Sequence, residues 1–100
     1  MLYYLAVDID QYALQIKQRI KRYWIKPANL PDGLSVKLRV KMIPGGDVAS
    51  VRVTDSSGNK LFDSSVENAV YRAAPFPMPS SAEAAGVVLD QGMEIYFSEN

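Results

Sequence analysis

The sequence contains no cysteine and no histidine. Without cysteine there is neither a disulfide framework nor a thiolate site, and without histidine the usual general base and the commonest zinc ligand are missing. The chain also lacks an apolar run of the roughly 20 residues that are needed to span a bilayer. We therefore expect no catalytic residue, no metal site and no cofactor.

The residues that remain for catalysis form no recognisable pattern. The acidic residues are scattered along the chain, and Asp55 and Asp63 flank a turn. A pair of carboxylates for glycoside hydrolysis is the enzymatic alternative, but no spacing favours it. Glycine-rich phosphate-binding fingerprints are absent, because Gly45-Gly46 is predicted to be a hairpin turn. The composition therefore favours a binding module over an enzyme.

The charge is balanced overall but unevenly spread. One hundred residues, of which 48% are hydrophobic, suit one domain with one core. Eight basic residues and one acidic residue lie between Gln11 and Lys41, whereas three basic and eight acidic residues follow from Met42 onward. This asymmetry indicates either two solvated faces or a basic surface for an acidic partner. Nucleic acid is a poor fit, since the basic residues are not interleaved with stacking aromatics.

A long amphipathic helix is predicted for the first part of the chain. Asp8 or Asp10 as the cap of a shorter helix, with residues 1–7 as a lead-in, is the alternative. Pro27 ends the helix. A basic amphipathic helix can lie on a membrane, but we interpret this one as the cover of a sheet. The apolar stripe recurs at helical spacing as Leu2, Leu5, Ala6, Ile9, Tyr12, Ala13, Ile16, Ile20 and Tyr23 or Trp24.

Two strands and a hairpin turn follow the helix. Residues 34–42 alternate with period two, and residues 44–47 read Pro-Gly-Gly-Asp, which is typical of a turn. The returning strand covers residues 48–54. The side chains expected to face the core are Leu34, Val36, Leu38, Val40 and Met42 in the first strand and Ala49, Val51 and Val53 in the second.

A second helix is predicted to begin near Ser64. Glu67 follows at the spacing of a capping box, and an apolar stripe recurs at helical intervals over residues 66–73. Pro75 ends this helix. We expect at most a short helical turn over residues 80–86, after which residues 87–89 lead into a last strand over residues 93–97.

These elements predict an α+β fold with a three-stranded antiparallel sheet. The strand order is 2-1-3, and the two main helices pack on one face. The last strand lies at an edge of the sheet, where an extended partner can pair with its backbone.

The stretch from Arg52 to Pro79 contains the motifs Ser56-Ser57-Gly58-Asn59, Phe62-Asp63 and Pro75-Phe76-Pro77. With these motifs at these spacings, it resembles the C-terminal domain of TolA, in the TolA/TonB C-terminal domain family. The upstream part agrees, because Trp24 and Pro27 precede a strand that opens at Gly33. The resemblance covers about residues 9–99. The last strand departs from the family pattern at Ser98, where a proline is usual, and the cysteine pair of some members is absent. The matching residues are Ser56-Ser57-Gly58-Asn59, Phe62-Asp63, Ser65-Val66, Ala69-Val70, Ala73 and Pro75-Phe76-Pro77 with Pro79.

The resemblance implies a function that the residues alone do not. It implies a periplasmic domain of a longer protein anchored in the inner membrane of a Gram-negative cell, within the Tol-Pal system. The implied partner is the N-terminal segment of TolB, and colicins and the minor coat protein of filamentous phages use the same domain. Several such contacts add a strand to the sheet edge, so we expect the partner along Met93, Glu94, Ile95, Tyr96, Phe97 and Ser98. A TonB-type domain that binds the TonB boxes of outer-membrane receptors is the alternative.

Overall fold

The computed structural model describes the backbone of residues 2–99 and the side chains of residues 11–99. The three strands form one sheet in the order β2-β1-β3, and both pairings are antiparallel. The predicted α+β class and strand order are confirmed, and the structure adds a third helix to the two main ones. The elements are α1 (Leu2–Tyr23), β1 (Ser35–Met42), β2 (Val48–Asp55), α2 (Lys60–Ala73), α3 (Ala82–Gln91) and β3 (Met93–Ser98).

Helix α1 buries the apolar stripe that its spacing predicts. Tyr12, Ile16 and Ile20 are almost completely buried, and their spacing of four residues places them on one side of the helix. The helix begins at Leu2, which corresponds to the longer of the two alternatives. Over the described residues, no helix is long and apolar enough to cross a membrane. The expected stripe positions Leu2, Leu5, Ala6 and Ile9 lie outside the side chains that the structure describes.

Strand β1 has one buried face and one wet face, as its alternation predicts. The wet face carries serine, lysine and arginine side chains. The core lies between the buried face and the helices, and α1 contacts both α2 and β3. The buried side chains of β1 are Val36, Leu38, Val40 and Met42.

The predicted orientation of Ala49 in β2 is wrong, because its side chain does not face the core. Ser50 and Val48 pair with successive residues of β1, so Ala49 has no partner there, and its side chain is exposed. The extra residue of a bulge breaks the alternation of the strand, so residues before it point to the opposite face from the one that strict alternation predicts. Val48 therefore packs on the core together with Val51 and Val53.

Helix α2 begins one turn earlier than predicted, at Lys60. Asn59 is its N-cap, and the Asn59 Oδ1 accepts a hydrogen bond of 3.0 Å from the backbone N–H of Phe62. The predicted cap at Ser64 with Glu67 is therefore wrong. Asparagine caps a helix as well as serine does, so the chain becomes helical at the first of the two signals. The predicted stripe is buried: Val66, Ala69, Val70 and Ala73.

Trp24, just after α1, links three elements in the core. Its ring lies edge-on to Phe62 of α2, with centroids 5.8 Å apart, and to Phe97 of β3 at 5.3 Å. The Trp24 Nε1–H also donates a hydrogen bond of 2.8 Å to Ser65 Oγ. Edge-to-face contact is a favourable arrangement for aromatic rings, so this cluster fixes the end of α1 against α2 and β3.

The tip of the β1–β2 hairpin is fastened to the segment that follows α2. The backbone N–H of Phe76 donates a hydrogen bond of 2.9 Å to the Gly46 carbonyl, and the Phe76 ring is buried. Gly46 has a φ of 93°, and a Cβ there would lie 2.9 Å from the Phe76 backbone nitrogen. Both the backbone angle and the close approach require glycine.

Helix α3 replaces the short turn predicted over residues 80–86. The Ser81 hydroxyl accepts a hydrogen bond of 3.0 Å from the Ala84 N–H, and Gly92 ends the helix with a φ of 76°. Ala84 and Val88 are buried and lie four residues apart on one face. Residues 87–89 therefore belong to the helix, because packing of this face outweighs the strand preference of valine.

Candidate functional site

Strand β3 is an edge of the sheet in the described part of the chain. It pairs with β1 from Ser98 to Met93 without a shift in register, and no strand of residues 2–99 lies on its other side. In an antiparallel ladder, alternate residues direct their N–H and C=O groups away from the neighbouring strand. The outward groups of β3 therefore form a continuous row to which an added strand can bond.

The six residues predicted for partner binding, Met93–Ser98, make up this strand. Glu94 points outward and forms an ion pair with Arg39, whose Nη2 lies 3.5 Å from the Glu94 Oε2. Tyr96 is 49% exposed and is the main side chain that the strand offers to a partner. Met93, Ile95 and Phe97 alternate with these two residues, and their side chains are buried in the core. Only the backbone of these three residues is therefore accessible to a partner.

A groove of about 220 Å³ runs beside this edge, between α1 and the end of β3. The α1 side of the groove was not predicted from the sequence. The signal for it is Leu14, an apolar residue outside the buried stripe whose side chain is 55% exposed. The lining residues are Leu14, Lys17, Gln18 and Lys21 from α1 and Tyr96, Phe97 and Ser98 from β3.

The groove carries positive charge. The Lys17 Nζ lies 5.9 Å from the centroid of the Tyr96 ring, within cation–π range, and Lys21 lies one turn further along α1. Lys37 is the neighbour of Tyr96 across the sheet. Over the side chains that the structure describes, none of the lining residues is acidic. An occupant of this groove therefore meets two lysines beside an aromatic ring.

Other cations from the basic half of the sequence have internal partners. Arg19 donates from Nε to a carbonyl oxygen at the end of α2, at 2.7 Å. Lys26 pairs with Glu99, and the Arg39 Nη1 donates a hydrogen bond of 2.8 Å to the Gln91 carbonyl. Of the eight basic residues in this half, three thus have partners within the chain and two line the groove.

The other edge of the sheet, β2, is less suited to an added strand. Its register with β1 shifts twice, which leaves Ala49 and Thr54 without partners on β1. Bulges of this kind twist an edge and oppose pairing with further strands. The uninterrupted ladder and the groove therefore favour β3 as the candidate site.

Asp63 and Tyr12 have shifted pKa values, and the contacts of each side chain belong to the fold and not to the groove. Ser57 donates to the Asp63 Oδ1 from its N–H at 3.2 Å and from its hydroxyl at 2.6 Å, and the Ser56 hydroxyl donates to the other oxygen. Burial alone raises the pKa of Asp63, but these bonds outweigh it and hold the pKa below its usual range.

Burial raises the pKa of Tyr12 to about 12, and its hydroxyl contacts the Met42 sulfur. Among the described side chains, no three acidic ones cluster as metal ligands would.

Comparisons with known proteins agree with this architecture. The family described as TonB C terminal matches residues 9–94. The Tol-Pal system protein TolA of Pseudomonas aeruginosa is 34% identical over 58 residues, which are 58% of this chain and 17% of that protein. The chain thus spans 17% of the length of this curated relative.

A solved structure matches over most of the chain. It is the solution NMR structure of TolAIII bound to a peptide derived from the N-terminus of TolB, and its TM-score is 0.72 at 29% identity. The match covers 85% of this chain and 69% of that one. The resemblance predicted from the sequence motifs is confirmed by these matches.

Proposed function

The chain belongs to the family of TonB C-terminal domains, and we propose that it is a protein-binding module of a Tol-Pal type cell-envelope system. In this proposal it binds the N-terminal segment of a TolB-like partner by strand addition at β3. The observation that carries the proposal is the uninterrupted open edge of β3, in a fold that matches a domain bound to a TolB peptide.

The edge supplies affinity mainly through the backbone. Three of the six residues of β3 direct their backbone groups away from β1, and each of the three offers one N–H donor and one C=O acceptor to an added strand. Roughly six hydrogen bonds at about 1 kcal/mol each correspond to a Kd on the order of tens of micromolar, before the cost of ordering the peptide. Side-chain contacts in the groove must offset that cost, so they decide which peptide binds.

The resemblance to TolA extends the proposal to the whole protein. We propose that the module acts in the periplasm of a Gram-negative cell and belongs to a parent protein with an anchor in the inner membrane. Its work there is to couple the inner membrane to outer-membrane integrity and to constriction at division. Colicins and the minor coat protein of filamentous phages are proposed to use the same edge.

An NMR titration tests the site. The ¹⁵N-labelled chain is titrated with a synthetic peptide of the TolB N-terminus, and we expect the largest amide shifts in Met93–Ser98 and in the lining residues of α1. Shifts concentrated in β2 would place the partner at the other edge and remove the proposed site. No shifts at millimolar peptide would contradict a TolB-type function.

A scan of N-methylated peptides tests strand addition itself. Each variant replaces one backbone N–H of the peptide by an N-methyl group, which removes a donor without changing the side chain. Alternate residues of an added strand donate to the edge, so affinity should fall at every second position. A scan in which the losses do not alternate would show that the peptide binds without joining the sheet.

A TonB-type function is the second candidate, because the matching family is described as TonB C terminal. In that case the same edge binds the TonB box of an outer-membrane receptor. A titration with a TonB-box peptide, measured beside the TolB peptide, separates the two. The peptide that binds more tightly at physiological salt identifies the partner class.

A further inference from the structure

We infer that the groove beside β3 selects an extended segment with acidic side chains at two alternate positions, which face Lys17 and Lys21. This inference rests on the proposed function, because it specifies the chemistry of the strand that adds to β3. The backbone of the edge accepts any extended segment, whereas the side chains of the groove do not.

The spacing of the two lysines matches the period of a strand. They lie four residues apart on α1, which is about 6 Å along the helix axis. Side chains on one face of a strand repeat every second residue, at about 6.6 Å. Both lysines line the groove, so two carboxylates separated by one residue can each face one ammonium group.

The charges on these lysines are not neutralised within the described chain. The ion pairs among the side chains of residues 11–99 are Lys26 with Glu99 and Arg39 with Glu94. A strand in the groove displaces water from Lys17 and Lys21, and a cation that loses water without gaining a partner is destabilised. Carboxylates on the strand remove this penalty, whereas lysine side chains on the strand increase it.

The apolar part of the groove adds a second requirement. Leu14 is 55% exposed and Tyr96 is 49% exposed, and both line the same groove as the lysines. An apolar side chain next to the acidic pair, on the same face of the segment, covers Leu14. The preferred segment therefore combines an alternating acidic pair with one flanking apolar residue.

Three matched peptides test the inference. They share a ten-residue strand-forming background of threonine and valine and differ only at two alternate positions, which hold aspartate, asparagine or lysine. We expect the chain to bind the aspartate peptide on the order of tenfold more tightly than the asparagine peptide at low salt. The lysine peptide should bind most weakly, and the differences should shrink as salt is added.

Charge-reversal variants locate the effect. Lys17→Glu with Lys21→Glu should invert the order, so that the lysine peptide binds most tightly. Arg52→Glu with Lys60→Glu changes the net charge by the same amount on β2 and α2, and should keep the original order. Lys17→Gln with Lys21→Gln should abolish the preference, and it provides the test if the reversal variant does not fold.

The outcomes separate this inference from the proposed function. Equal affinity for the aspartate and asparagine peptides, an unchanged preference after Lys17 and Lys21 are replaced, or an equal loss in the control variant overturns the inference. If the TolB peptide still shifts the β3 amides in that case, the proposed function stands alone. If no peptide, including that of TolB, shifts them, both fall.

Discussion

Replacement of Gly46 by alanine tests the contact between the hairpin tip and the segment after α2. A Cβ at Gly46 would overlap the Phe76 carbonyl oxygen and lie 2.9 Å from the Phe76 nitrogen and carbonyl carbon. Because these are backbone atoms, no side-chain rotation relieves the overlap. The hairpin and the segment must separate, which breaks the 2.9 Å hydrogen bond from the Phe76 N–H to the Gly46 carbonyl.

Gly45 provides a matched control. Its φ is 99°, similar to that of Gly46, but a Cβ there meets nothing within 4 Å. Alanine at either position has the same unfavourable backbone angle, which costs about 1–2 kcal/mol. Only Gly46→Ala also loses the hydrogen bond, at about 1 kcal/mol, and loosens the buried Phe76 ring. We therefore expect a loss of about 1–2 kcal/mol for Gly45→Ala and about 3–4 kcal/mol for Gly46→Ala.

Urea unfolding of the two variants measures this difference. The free energy of unfolding is compared at equal m-value, so that the change reflects stability and not a change in the unfolded ensemble. The amide resonance of Phe76 should shift strongly in Gly46→Ala and little in Gly45→Ala. Equal destabilisation of the two variants would refute the close approach of the hairpin tip to Phe76.

Three further predictions concern the fold. Asn59→Ala should reduce the free energy of unfolding by about 1 kcal/mol because it removes the cap of α2, whereas Ser64→Ala should leave it almost unchanged; the reverse result would restore the cap predicted from the sequence. The lowered pKa of Asp63 means that its stabilisation is present above the unfolded carboxyl pKa of about 3.9 and is lost as the pH falls through the lower folded pKa; urea titrations should show a weaker acid dependence in Asp63→Asn, and an unchanged dependence would contradict the role of its hydrogen bonds. Trp24→Phe keeps a smaller ring against Phe62 and Phe97 but loses the bond to Ser65, so the free energy of unfolding should fall by at least about 1 kcal/mol; the loss should be smaller by about that amount in a Ser65→Ala background, and full additivity would argue against the bond.

The elements with strong periodicity could be predicted from the sequence. The stripe of α1 around Ile16, the alternation of β1 and the stripe of α2 around Val70 each record one buried face, and a buried face is what periodicity measures. The strand order followed from connection rules applied to these elements. The placement of residues 93–98 at an edge followed in the same way.

The remaining differences depend on information that is not local. Asn59 and Ser64 are both good caps, and a helix uses the first one that its packing allows. The segment around Val87 has local strand preference, but the core accepts it as a helix because Ala84 and Val88 fill one face. The bulge at Ala49 has no signature in its own residues. The groove could not be predicted, since it exists only where α1 passes the end of β3.

The long separation between the partners of β3 has a consequence for the opening of the domain. β1 and β2 are joined by a short hairpin, whereas β3 pairs with residues far earlier in the chain, as Ser98 does with Ser35. A strand that is paired on one side only is released at a lower free energy than the central strand β1, which is paired on both sides. Amide hydrogens of β3 should therefore exchange with solvent sooner than those of β1. A partner strand would place β3 between two neighbours, so occupation of the edge converts a strand that is paired on one side into an interior one.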